Sequence, residues 1–255
     1  MDYFQEVLEE NLSYLKDLAD KGDKFYEYEY AMALLTNEHY EEAIKYLESS
    51  SSKGYEDATY CLGICYEQGI YYEENIEKAK ELYNKLIEMN SGYGYKGLAD
   101  LMFYSESTDE EKEEALKLYN EGTNKDYNNY FYCDFELGVI YKRGLYVKKD
   151  MDKAIKHFLN AYEMMDDPEI SLTLGGAYLF GTNGLDKDLT KAHDLLLDFM
   201  LYVTEEDEDL LKEFKDLTKK YDDKVFFDNL LKEAKEKENI EDECSCGEHH
   251  HHHHE

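Results

Sequence analysis

The residues best equipped for chemistry stand at the end of the chain. Cys244-Ser245-Cys246-Gly247-Glu248 runs into His249, His250, His251, His252, His253 and His254, followed by Glu255. Thiolates and imidazoles are ligands for zinc and nickel, so this segment by itself could chelate a metal. Six consecutive histidines are also the usual form of a purification tag. The Glu that follows and the Cys-x-Cys-Gly that precedes are not vector-like, so a native metal-binding tail and a tag both stand. Cys61 and Cys65 form a second thiol pair, four apart inside an apolar helical stretch. They read first as reduced core thiols and second as a metal or redox pair. Five cysteines placed this unevenly do not make a disulfide framework. For nucleophilic catalysis a base is needed, and His39, His157 and His193 are the candidates outside the tail. A solvated or half-buried structural role is expected for each, and no enzyme activity is expected. No cofactor is expected beyond zinc or nickel at the tail.

The elements that must position these groups are helices. One Pro and 15 Gly in 255 residues leave few breakers. Acids outnumber bases 60 to 28, giving a net charge of -32. That excludes a nucleic-acid binder, which needs cations to replace phosphate counterions, and equally a polybasic membrane contact. With 42% apolar and 15% aromatic residues, a folded chain is expected. No stretch of about 18 apolar residues is present, and no basic-then-apolar leader opens the chain. The expected location is therefore the cytoplasm.

The chain repeats itself. An Ala after Lys or Glu, with a bulky residue four later, recurs at Ala43, Ala79, Ala115, Ala154 and Ala192. Upstream lies a second anchor, Leu62-Gly63, Leu98-Ala99, Leu137-Gly138 and Leu174-Gly175. Two helices per unit follow, with the small residues letting helix A and helix B approach closely and bulky neighbours filling the gap. Gly69, Gly144 and Gly181 suit left-handed helix ends. Asn75, Asp150 and Asp188 suit N-caps of helix B, and Thr108 with Glu111 reads as a capping box.

This pattern resembles the Sel-one-like repeat, a relative of the tetratricopeptide repeat with a longer loop between its helices. Cys61-Leu62-Gly63-Ile64-Cys65-Tyr66-Glu67-Gln68-Gly69 matches that family's end of helix A, and Asp150-Met151-Asp152-Lys153-Ala154 its start of helix B. The first unit departs, since Ala31 precedes Ala43 by only 12, and looks like a plain tetratricopeptide repeat. The third lacks the Leu-Gly pair and the second Gly. The expected fold is all-α: an α/α superhelix of about five helix-turn-helix repeats with capping helices at both ends. Residues 1–22 would be an N-terminal cap, 23–200 the solenoid, and 201–240 two capping helices with a break near Asp222. Residues 241–255, poor in apolar side chains, would be a disordered tail.

The resemblance implies a superhelix whose A helices line the concave face. Counting outward from each small residue places Tyr60, Glu67, Lys96, Asp100, Phe103, Tyr132, Phe135, Lys142 and Arg143 inward, with Ile64, Val139, Leu172 and Leu179 beside them. Inter-repeat packing is the competing role for each apolar member. A Lys/Asn carboxylate clamp of the kind some relatives use is absent, although Lys142 and Arg143 together could hold one acidic group. The function expected is a non-catalytic scaffold or adaptor that docks a peptide or protein segment. Its partner would be cationic or aromatic, given the net charge. Metal handling by the tail is the alternative.

Overall fold

The computed structural model describes the backbone of residues 3–103 and 108–247, and the side chains within 11–103 and 108–237. Among the described residues there are thirteen α-helices and no strand, only one isolated bridge between Ser91 and Asn128. A single helix, α1 (Tyr3–Ala19), precedes five consecutive pairs. These are α2 (Lys24–Thr36) with α3 (Tyr40–Ser52), α4 (Glu56–Gln68) with α5 (Ile76–Glu88), and α6 (Gly92–Phe103) with α7 (Asp109–Gly122). They continue with α8 (Phe131–Arg143) and α9 (Met151–Tyr162), then α10 (Pro168–Phe180) and α11 (Leu189–Tyr202). Two more helices follow, α12 (Glu208–Lys220) and α13 (Lys224–Gly247). This is the α/α repeat solenoid class that the repeat spacing predicts. The chain divides into two compact units, Met1–Leu137 and Gly138–Glu255, so the two halves of α8 belong to different units.

The anchors do what their sizes imply. Ala43, Ala79, Ala115, Ala154 and Ala192 are completely buried. A Cβ on Gly63 would collide with the ring of Tyr83, and one on Gly138 with the ring of Phe158. At Gly175 it would come within 2.9 Å of Leu196. In each case the obstructing side chain is the bulky residue four after the Ala anchor. Filling the space that a glycine vacates is how these pairs reach interior packing density.

Capping is local and readable. The Asn75 side chain accepts from the Lys78 amide at 3.0 Å, and Asp150 from Lys153 at 3.1 Å. Asp188 takes the amides of Thr190 and Lys191, and Thr108 with Glu111 closes a full capping box. Gly69 and Gly181 end α4 and α10 in the left-handed region, at φ 68° and 64°. A side chain there would cost energy that glycine avoids.

The helices after the pairs depart from expectation in one way. The break falls where anticipated, at residues 221–223. However, α13 continues to Gly247, so 241–247 are helical where a disordered tail is expected. No proline interrupts residues 224–247, so nothing in the covalent chain stops the helix. Phe227, Leu230 and Ala234 are buried, whereas Val225 and Leu231 are exposed. Phe227 and Leu230 join Leu196, Phe199 and Leu210 in one cluster, so α13 closes the core of its unit.

Candidate binding face

The A-type helices carry two clusters of polar and aromatic side chains, one in each unit. In the first unit, Tyr60 of α4 stacks on Tyr93 of α6 with ring centroids 4.5 Å apart and planes at 13°. Tyr93 stacks in turn on Tyr132 of α8 at 4.9 Å and 24°. The middle ring is almost fully buried, while Tyr60 and Tyr132 are partly exposed. The Tyr93 hydroxyl donates to Asp57 at 3.0 Å, which fixes the middle of the ladder. Offset stacking of this kind is worth about 0.5–1.5 kcal/mol per pair beyond area burial.

Beside the ladder lies a charged network. The Lys96 ammonium donates to Asp100 Oδ2 at 2.6 Å and pairs with Glu136 at 3.0 Å. The hydroxyl of Tyr119, from α7, donates to Asp100 Oδ1 at 2.5 Å. All three charged side chains are less than a fifth exposed. Burial pushes the Asp100 carboxyl up to about 6, although Lys96 pulls it back. Burial works against the Lys96 cation, but Asp100, Tyr60 and Glu136 outweigh it and hold the ammonium above its ordinary value. With both carboxylates ionised, the network carries one net negative charge. Burial likewise raises the Tyr60 hydroxyl.

The structure thus brings Tyr60, Lys96, Asp100 and Tyr132 together. Glu67 is engaged elsewhere on α4, accepting from the Tyr83 hydroxyl at 2.7 Å. Phe135 is half-buried on α8. Phe103 is a correction: it is 1% exposed and packs edge-on against Tyr119, so it fills the α6–α7 core and lines no face. Val139, Leu172 and Leu179 are buried too, which settles them as packing residues.

In the second unit, Lys142 and Arg143 were expected to hold an acidic group from outside. The group is supplied from within. Glu169 of α10 receives Arg143 at 2.8 Å and lies 3.4 Å from Lys142, which pairs with Glu213 of α12 at 2.9 Å. Glu169 and Lys142 are buried, so this clamp is filled by the chain itself.

Tyr93, Glu136 and Glu169 were not anticipated. Asp57, Tyr93, Tyr132 and Glu169 each precede the small residue of their helix by six, one turn before Tyr60, Lys96, Phe135 and Leu172. Extending the count by that turn would have found two of the three. Glu136 stands two before Gly138, and no spacing singles it out.

Among the described residues, no group of three His, Cys, Asp or Glu side chains is placed to hold a metal ion. Cys244 and Cys246 fall on the backbone of α13 without described side chains, and His249, His250, His251, His252, His253 and His254 lie outside the described residues. His157 stacks on Tyr141 at 5.8 Å, and His193 lies 3.4 Å from Glu233. Among the described residues, no helix is long and apolar enough to cross a membrane.

Paired helices with small-residue crossings and left-handed glycine ends define an α-helical repeat protein. The chain belongs to the Sel1 repeat family, whose model matches residues 25–55, 57–91, 132–164 and 174–197. The first unit, read above as a plain tetratricopeptide repeat, is therefore a Sel1 repeat. The α6–α7 pair falls outside the matches, yet it folds as the others do. Among solved structures, the chain is similar to c5321, a protective antigen of uropathogenic Escherichia coli strains with an SLR fold. The TM-score is 0.58 at 18% identity, over 96% of this chain and 52% of that one, so the chain spans about half the antigen's length. It is also similar to a Sel1 repeat protein from Oxalobacter formigenes, with TM-score 0.51 and 18% identity over 86% and 96% of the two chains. These likenesses show the fold. No curated protein matches the chain.

Proposed function

We propose that the chain is a non-catalytic interaction scaffold that docks a cationic, aromatic-containing protein segment on the face formed by Tyr60, Lys96, Asp100 and Tyr132. The observation that carries this reading is the tyrosine ladder beside a network of net negative charge. Partly exposed tyrosines offer contact area at low conformational cost. The adjacent carboxylates favour Lys or Arg, and a net charge of -32 steers such partners at low salt. Lys142 with Arg143 contributes to the charge balance of the second unit only.

Panning a peptide library on the full chain tests the reading. Basic, aromatic peptides should be enriched, and their affinity should fall as salt rises through the range where the screening length shortens to about 8 Å. Tyr60→Ala and Tyr132→Ala should each weaken the selected peptide about tenfold, the loss typical of an interface anchor. Enrichment of acidic peptides, or an affinity blind to both substitutions, would overturn the proposal.

A further inference from the structure

We propose that α9, α10 and α12 enclose a binding site for a phenol, a neutral aromatic ring carrying one hydroxyl. The site is a cleft of about 300 Å³ within the second unit, and it shares no residue with the tyrosine face. One wall is a stripe of α10, Thr173, Gly176, Ala177 and Phe180, which the helical repeat sets on a single side. Met151 and Ile155 come from α9, and Leu217 and Lys220 from α12. The cleft exists because the middle of the stripe is small. A Cβ on Gly176 would already stand 3.3 Å from Leu217 Cδ1. The volume lies at the small end of ligand pockets and suits one ring.

Thr173 selects the ligand. It is 6% exposed, and its hydroxyl has no hydrogen-bond partner among the described residues. A threonine inside a helix can return its hydroxyl to the carbonyl four residues before. Thr36 does so to Met32 at 3.0 Å, and Thr59 to Tyr55 at 2.9 Å. Thr173 does not, and a buried hydroxyl left unpaired is unfavourable. A ligand hydroxyl placed beside it would relieve that. The surrounding groups favour a ring as the carrier. Ile155, Leu172 and Leu217 give aliphatic surface. Met151 offers a thioether, which contacts aromatic edges favourably. The Lys220 ammonium sits over the Phe180 ring at 4.7 Å, so a cation is already poised for a second ring beside Phe180. Glu213 and Asp216 also border the cleft, each paired already, with Lys142 at 2.9 Å and Lys219 at 3.0 Å. Neither calls for a cationic ligand, and both oppose an anionic one, which leaves a neutral hydroxyl.

The test uses the full chain with isotope-labelled methionine methyl groups, the Met151 signal being assigned by its loss in Met151→Leu. p-Cresol, titrated through the millimolar range, should shift that signal by its ring current and raise the melting temperature. Toluene has the same shape without the hydroxyl. A purely apolar cleft would prefer toluene, because p-cresol must leave its hydrogen bonds to water. The proposed site should instead prefer p-cresol about tenfold, the size of one good hydrogen bond. Thr173→Val should leave the free protein at least as stable and turn the preference towards toluene. N-Acetyltyrosinamide separates the two sources of the group. Binding as tight as that of p-cresol assigns the site to a tyrosine of a polypeptide, and much weaker binding assigns it to a free phenol; both support the site. An unmoved Met151 signal, toluene bound as tightly as p-cresol by the parent, or a Thr173→Val variant that still prefers p-cresol would overturn it. Should that variant lose its helical circular dichroism, the preference of the parent decides alone.

Discussion

Lys96 and Lys142 are two lysines on A-type helices, the first mostly and the second fully buried, each answered by two carboxylates, and the answers differ. Lys96 finds Asp100 one turn further along its own helix and Glu136 on α8. Lys142 finds neither partner on its own helix, drawing on Glu169 of α10 and Glu213 of α12. Half-exposed tyrosine rings frame the first cluster, which makes part of a surface. The second is closed by Arg143 and Glu169 and joins three helices of its unit. The contrast teaches that a basic residue on an A-type helix is no guide to an outside ligand until the carboxylates around it have been counted. A buried ion pair is weak evidence of stability in itself, but removing one member strands the others.

The comparison can be broken most directly at Lys96. Lys96→Met leaves Asp100 and Glu136 facing each other without a cation, and should cost about 3–5 kcal/mol. In a chain of this size that is a fall in melting temperature on the order of 10 °C. Next in size is a pH effect. Asp100 titrates near 6 when folded instead of near 3.8, and a raised carboxyl stabilises the fold only while it is protonated. Its contribution is complete below about pH 3.8 and is lost as the pH rises through 6. The stability of the parent relative to Asp100→Asn should therefore decline by roughly 3 kcal/mol between pH 4 and pH 7. Paired denaturant titrations across that window would measure it, and a flat difference would mean that Asp100 titrates normally. Glu169→Gln should cost less than Lys96→Met, about 2 kcal/mol, because Glu213 stays on Lys142 while charge-assisted bonds to Arg143 and Lys142 weaken. A loss equal to that of Lys96→Met would erase the distinction between the clusters. Lys117→Met, which breaks only the exposed pair with Glu114, should leave the melting temperature unchanged.

What the sequence made legible was what local chemistry decides. Repeat spacing placed five helix pairs, because a small residue and an Ala anchor must recur wherever two helices cross closely. Caps were legible because an Asn or Asp side chain reaches only its own first turn. The face was half legible. Tyr60, Lys96, Asp100 and Tyr132 share a stripe that counting recovers, but Phe103 on the same stripe turned inward, since the choice belonged to Tyr119 on another helix. Glu169 was hidden for a related reason: its role depends on a lysine 27 residues earlier, on a different helix. The extension of α13 escaped because weak apolar content suggests disorder, whereas a helix already anchored by Phe227 and Leu230 can run on through a segment without proline.

The α6–α7 pair carries a consequence for mutational tolerance. A side chain at Gly92 would press a Cβ to 2.6 Å from the backbone oxygen of Asn129, and one at Gly94 to 2.6 Å from the backbone nitrogen of Ile87. Those obstacles are main chain and cannot rotate away. Every amino-acid replacement at these two codons should be rejected in a saturation library, as at the signature glycines Gly63 and Gly138, where the obstacle is a buried ring. The pair that departs furthest from the family's consensus would then be among the least free to vary, held by its neighbours' backbones in place of a shared motif.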